Sequence, residues 1–125
     1  MDIRLEQPSD GSVRITILCD NNTTKPGILA EHGLSLLVQV GDRSFLLDTG
    51  QTFTAVHNAA VLGLDLTHLS AIVLSHGHFD HTGGLRDLLR RVKDVPIIAH
   101  PDIWAAKYVV RPNERARYIG MPFTW

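Results

Sequence analysis

Ser75-His76-Gly77-His78-Phe79-Asp80-His81-Thr82-Gly83-Gly84 is the stretch on which the reading of this chain turns. It holds three histidines and one aspartate within six positions, in the pattern H-x-H-x-D-H. Imidazole and carboxylate are both good ligands for borderline divalent ions such as zinc. The apolar run Ala71-Ile72-Val73-Leu74 comes just before it, and a helix-like run from Leu85 to Val92 comes just after. The motif is therefore expected on a loop that leaves the C-terminal end of a buried strand and enters a helix. Open α/β sheets place their chemistry at strand ends of that kind.

The spacing has a physical logic. In an extended segment side chains two apart point the same way, so His76 and His78 can address one ion. Gly77 between them has no side chain to crowd a metal. Asp80 and His81 follow after the chain has begun to turn. They sit too tightly to complete one tetrahedral shell with both earlier histidines, and they suit a second, adjacent ion. Two ions about 3.5–4 Å apart can together stabilise an in-line displacement. Zinc is the default; mixed His and carboxylate sites also accept iron or manganese.

His76-Gly77-His78-Phe79-Asp80-His81 resembles the signature of the metallo-β-lactamase-fold hydrolases. Cys19-Asp20-Asn21-Asn22, Ala30-Glu31-His32-Gly33-Leu34-Ser35, Leu46-Leu47-Asp48-Thr49-Gly50 and Leu74-Ser75-His76-Gly77-His78 resemble one branch of that family. That branch includes a dihydropterin–ribofuranosylaminobenzene 5′-phosphate synthase. The resemblance runs over nearly the whole chain and matches about the first half of the family's fold. It implies an α/β (α+β) architecture, one half of an αββα sandwich, with a mixed sheet and flanking helices. Residues 1–125 would form a single metallo-β-lactamase-like domain, the N-terminal half of the family's unit.

The resemblance also implies a site. Two zinc ions are expected in the complete centre, the first on His76 and His78, the second on Asp80 and His81. Asp80 would have the catalytic part, orienting the nucleophile, and Asp48 would support the ligands from behind. A third histidine for each metal and a bridging aspartate would lie outside these 125 residues. Metal-bound hydroxide would attack an ester, phosphoester or related bond of a small molecule, with a phosphorylated pterin-like or nucleotide-like compound suggested by the branch. Asn21, Asn22, Glu31 and His32, in the loop after the first strand, are candidates for the substrate rim, as is His100 at a later strand end. The alternative is a non-catalytic metal-binding or interaction module. It would assemble with a second copy as a homodimer, or with the missing half, because one sheet of a two-sheet sandwich has an inner face that water should not see.

Composition narrows the partners. With 44% hydrophobic and 20% charged residues the chain is ordinary for a globular domain. A formal net charge of −1 gives no field that would draw nucleic acid or an anionic membrane. Cys19 is the only cysteine, so no disulfide forms within the chain. That fits a reducing, cytoplasmic setting, with Cys19 as a packed core thiol. Met1 to Gly11 is polar, without the apolar core of a signal peptide.

The remaining elements follow from periodicity. Strands are expected at 13–18, 34–40, 44–47, 71–74 and 95–99. Gly41-Asp42 suits a tight hairpin. A helix is expected from Gln51 or Thr52 to Leu62, with Phe53, Val56, Ala60 and Val61 on one apolar stripe and Gly63 ending it. Leu85, Leu88, Leu89 and Val92 form a second stripe. Pro101 opens a further helix. Beyond Val110 the pattern weakens, and Arg111, Arg115 and Arg117 read as a solvated basic cluster.

Overall fold

The structure, a computed structural model, describes residues 11–123. The polar lead-in, apart from Gly11, lies outside the described residues. Strands β1 (Val13–Cys19), β2 (Ser35–Val40) and β3 (Arg43–Leu47) are followed by helix α1 (Thr54–Val61) and strand β4 (Ala71–Val73). Two short helices, α2 (Phe79–Thr82) and α3 (Leu85–Leu89), lead to β5 (Ile97–Ile98) and a 3-10 turn at Pro101–Trp104. Strands β6 (Tyr108–Val109) and β7 (Arg117–Tyr118) pair as a separate hairpin.

The main sheet runs in the order β1-β2-β3-β4-β5. The first three strands are antiparallel, with the Gly41-Asp42 turn joining β2 to β3, and β3, β4 and β5 are parallel. This is the mixed sheet the resemblance implies. No helix among the described residues is long and apolar enough to cross a membrane.

Because side chains alternate along a strand, the sheet has two faces with different fates. Leu37, Leu46 and Ile72 point under α1 and α3 and are essentially inaccessible. They pack with Ala55, Ala59, Leu85, Leu88 and Val92 in one core. The opposite face is also apolar, but Val13, Ile15 and Ile17 on it are 57%, 60% and 59% exposed. Their register partners Val40, Val38 and Leu36 continue that face across β2.

The helices depart from the sequence expectation in an instructive way. In α1 the expected stripe is not the buried one: Phe53 and Val61 are exposed, while Thr54, Ala55, Asn58 and Ala59 face inward. Asn58 decides this. Its amide donates to the carbonyls of Leu18 and Leu29, and its Oδ1 accepts from Leu29 N–H at 2.9 Å. A fully bonded polar side chain can sit in a core that apolar periodicity alone would assign elsewhere. The helix expected to reach Val92 ends at Leu89, although Val92 stays buried and its N–H still reaches Leu88 O. The segment opened by Pro101 is a 3-10 turn, and the β6–β7 hairpin carried no clear strand pattern in the sequence.

Candidate metal centre

Parallel pairing of β3 and β4 sets Leu47 beside Val73, so the C-terminal ends of both strands meet. Asp48 follows one end and Ser75 lies just past the other. Asp48 is held in the left-handed region at φ 57°, a conformation that Asp tolerates better than most residues. Its N–H donates to Val73 O at 2.9 Å, and its carbonyl accepts from Ser35 Oγ at 2.8 Å. The backbone is thus pinned on both sides, and the side chain points at the motif.

The buried Asp48 carboxylate accepts three bonds. Oδ1 takes the Ser75 N–H at 2.8 Å. Oδ2 takes Ser75 Oγ–H at 2.6 Å and His81 Nδ1–H at 2.7 Å. A hydroxyl has one proton, and Ser75 gives it to Asp48. Ser75 Oγ therefore accepts from His76 Nδ1–H, at 2.8 Å. This network assigns tautomers: His76 and His81 both carry their proton on Nδ1 and present the Nε2 lone pair. Burial first, then the neighbouring His81 and His78, holds the His76 pKa below its ordinary value, which keeps that lone pair available.

The donor atoms fall into two pairs. His76 Nε2 lies 3.1 Å from His78 Nδ1. His81 Nε2 lies 3.6 Å from Asp80 Oδ2. Two ligands of a tetrahedral zinc, each at about 2.0–2.1 Å, stand about 3.3 Å from one another. Both pairs have that spacing, so the residues fit divalent ions. The His76 and His81 rings are 4.2 Å apart at their centroids and join the pairs. Donor atoms of Asp48, His76 and His81 also lie within 4.8 Å of one another. Of that group Asp48 differs in that both of its oxygens are already engaged by Ser75 and His81. Ser75 is the functional residue that sequence reasoning missed. Its signal was its place at the strand tip, directly before the first histidine.

Gly77 has a different reason from the one its spacing suggested. A Cβ there would lie 2.2 Å from Ile103 O, so glycine admits the 3-10 turn rather than making room for a metal.

The expected rim residues divide. His32 reaches the motif, with Nε2 3.1 Å from Asp80 Oδ2. Glu31 instead turns inward as an anchor. Its Oε1 accepts from the N–H groups of Gln51 at 2.9 Å and Thr52 at 3.1 Å, and its other oxygen accepts from the Thr52 hydroxyl. Burial pushes its pKa up, but the Thr52 and Gln51 hydrogen bonds outweigh that and hold it below the ordinary value. Asn21 accepts from Gly33 N–H at 3.2 Å. Asn22 lines a cleft of about 380 Å³ along β1 and α1 that no motif residue borders. His100 caps the 3-10 turn, accepting from Asp102 N–H at 3.1 Å, and borders a separate cavity with Leu74, Ile103 and Met121. Glu31, Asn21 and His100 are thus occupied in holding loops, and Asn22 faces elsewhere. Cys19 is buried, with Sγ 3.5 Å from Glu31 Oε1. Burial, then the Glu31 charge, pushes its thiol up to about 12, as befits an inert core cysteine.

With this geometry in view, comparison with known proteins is specific. The profile of the metallo-beta-lactamase superfamily matches residues 29–120. The 7,8-dihydropterin-6-methyl-4-(beta-D-ribofuranosyl)-aminobenzene-5'-phosphate synthase of Methanocaldococcus jannaschii is 35% identical over 90 residues, 67% of this chain and 31% of that protein. The lactamase-like protein vrtG of Penicillium aethiopicum is 38% identical over 119 residues, 90% of this chain and 35% of that protein. A solved metal-dependent hydrolase of the beta-lactamase superfamily superposes with a TM-score of 0.67 at 31% identity, covering 88% of this chain and 37% of the other. The chain thus spans about a third of the length of these relatives.

Proposed function

The chain belongs to the metallo-beta-lactamase superfamily, and from that premise we propose that it builds a metal-dependent hydrolytic centre acting on an ester, phosphoester or related bond of a small molecule. The observation that carries this reading is the pairing of donor atoms, His76 with His78 and Asp80 with His81, at ligand-to-ligand spacing. His76 and His78 would hold one divalent ion, and Asp80 and His81 a second. Bound ions supply Lewis acidity toward a carbonyl or phosphoryl oxygen and toward water. The protein's own residues do the rest. Asp48 and Ser75 keep protons on the Nδ1 atoms of His81 and His76, which leaves both Nε2 atoms facing the site. Asp80, at the start of α2, would orient a nucleophile or accept its proton. The similarity to a synthase named for a dihydropterin-bearing ribofuranosyl-aminobenzene 5'-phosphate supports a phosphorylated, ring-bearing compound as substrate or product.

One observation favours a second reading, a metal-holding module without turnover. Among the described residues each proposed ion has two donors, His76 with His78 and Asp80 with His81, where catalytic zinc ordinarily has three. Elemental analysis combined with assays on generic phosphoesters and lactones separates the two. The enzyme reading expects bound metal and turnover that is lost in Asp80→Ala. Bound metal with no turnover, in wild type and variant alike, selects the module. Absence of any zinc, iron or manganese uptake overturns both.

A further inference from the structure

Outside the H-x-H-x-D-H motif, one loop closes directly on Asp80. Glu31, His32 and Gly33 are consecutive, and each makes a different contact. Glu31 fastens the loop to Gln51 and Thr52, accepting from both backbone N–H groups and from the Thr52 hydroxyl. Gly33 lies against Asp80 itself: a Cβ there would stand 2.4 Å from Asp80 O and 3.3 Å from Gln51 N. Its N–H is tied to Asn21 Oδ1 at 3.2 Å. Between these two fixed points His32 reaches over, and its Nε2 comes within 3.1 Å of Asp80 Oδ2. A carboxylate oxygen accepts, so the imidazole donates its Nε2–H. The same Oδ2 is the atom that lies 3.6 Å from His81 Nε2.

We propose that His32 is a positioning residue of the metal centre, which pins the Asp80 carboxylate so that it can share a divalent cation with His81. The role mirrors that of Asp48 toward His81, with donor and acceptor exchanged. A free carboxylate on a short helix rotates about its last torsion and loses that freedom on binding an ion. A hydrogen bond made beforehand reduces the loss. Partners of this kind change metal affinity by roughly 10–100-fold when removed. His32 does this from a side chain that is 64% exposed, so its removal leaves no buried hole.

The inference rests on the reading of Asp80 and His81 as a cation-binding pair, and the test keeps the two apart. Zn²⁺ alone is titrated against a chromogenic chelator into wild type, His32→Ala, His32→Gln, Asp80→Ala and the His32→Ala/Asp80→Ala double variant. Thermal unfolding of each metal-free protein is measured alongside. His32→Ala is expected to weaken zinc binding about tenfold with an unchanged metal-free midpoint. His32→Gln, whose amide can still donate to a carboxylate, is expected to restore most of that loss. In the Asp80→Ala background the His32 change is expected to have no further effect. Wild-type affinity in His32→Ala, failure of His32→Gln to recover binding, or an undiminished loss in the double variant each overturns the positioning role while leaving the metal centre standing. Wild type that takes up no zinc overturns the centre itself, and the positioning role with it.

Discussion

The motif is gripped from two sides, and the two grips are built differently. On the inner side Asp48, 1% exposed, answers Ser75 and His81 with both oxygens, while Ser75 carries the contact on to His76. On the outer side His32, 64% exposed, makes a single contact to Asp80 from a loop anchored at Glu31 and Gly33. In the interior a polar group without its partner is expensive, so the inner network has one satisfactory arrangement. The outer contact competes with water and tunes what the inner one defines. Inner changes should therefore damage folding and metal binding together, and outer changes should separate them.

The largest effect is expected where that distinction is sharpest. Asp48→Asn keeps the size and the tolerance of a positive φ but turns one acceptor into a donor. The new amide N–H₂ then faces donors, either Ser75 or His81 Nδ1–H. Stability should fall by about 2–4 kcal/mol in urea unfolding, in keeping with a buried hydrogen-bonded network losing an acceptor. Zinc affinity should drop by roughly 100-fold, because His81 loses the bond that selects its tautomer. A variant with normal stability and weakened zinc binding would make the inner side no different from the outer one.

Gly33→Ala asks whether the outer side has any rigid part. The added methyl meets the Asp80 carbonyl at 2.4 Å, an atom of the backbone that cannot turn aside. The loop has to move away from α2, taking His32 with it. Overpacking of this kind is expected to lower stability by about 1–3 kcal/mol. Zinc affinity should fall by about as much as in His32→Ala, which is less than in Asp48→Asn. Equal zinc affinity in Gly33→Ala and wild type would show that the outer loop closes without reference to Asp80.

Much of the inner side was legible in the sequence, and much of the outer side was not. A strand of pure apolar residues, then histidines two apart, then Gly-Gly, point to a loop at the C-terminal end of a buried strand, where β4 carries it. Asp48 at the end of β3 was readable for the same reason. The parallel pairing that brings Asp48 to Ser75 is a tertiary fact, and a serine beside a histidine has no periodicity to mark it. The inward face of α1 was hidden because Asn58 is polar, and its burial depends on carbonyls from residues 18 and 29. Glu31 and His32 were adjacent candidates for one rim, yet their side chains part company, one to the Gln51–Thr52 backbone and one to Asp80. The sandwich resemblance implied a sheet face that water should not see. The alternation in β1 could not say that helices would cover the side of Leu18 and leave Ile15 exposed on the other.

The smallest effect expected is the acid sensitivity of the outer anchor. Hydrogen bonds from Thr52 and Gln51 hold the Glu31 pKa below its ordinary value of 4.5, against the upward push of burial. A carboxyl with a depressed folded-state pKa binds its proton less tightly folded than unfolded. Its contribution is fully present above pH 4.5 and is lost as pH falls through the folded value. Glu31→Gln removes that dependence, because an amide does not titrate in this range. At pH 7 the variant should be less stable by roughly 1 kcal/mol, discounted for the group's partial exposure. As pH falls below 4.5 the gap to wild type should narrow. Unfolding midpoints measured from pH 3 to pH 7 for both proteins check this directly. Parallel curves would mean that Glu31 holds the loop by shape alone. The outer side would then owe its closure to the Gly33–Asp80 backbone contact, and charge at position 31 would have no part in it.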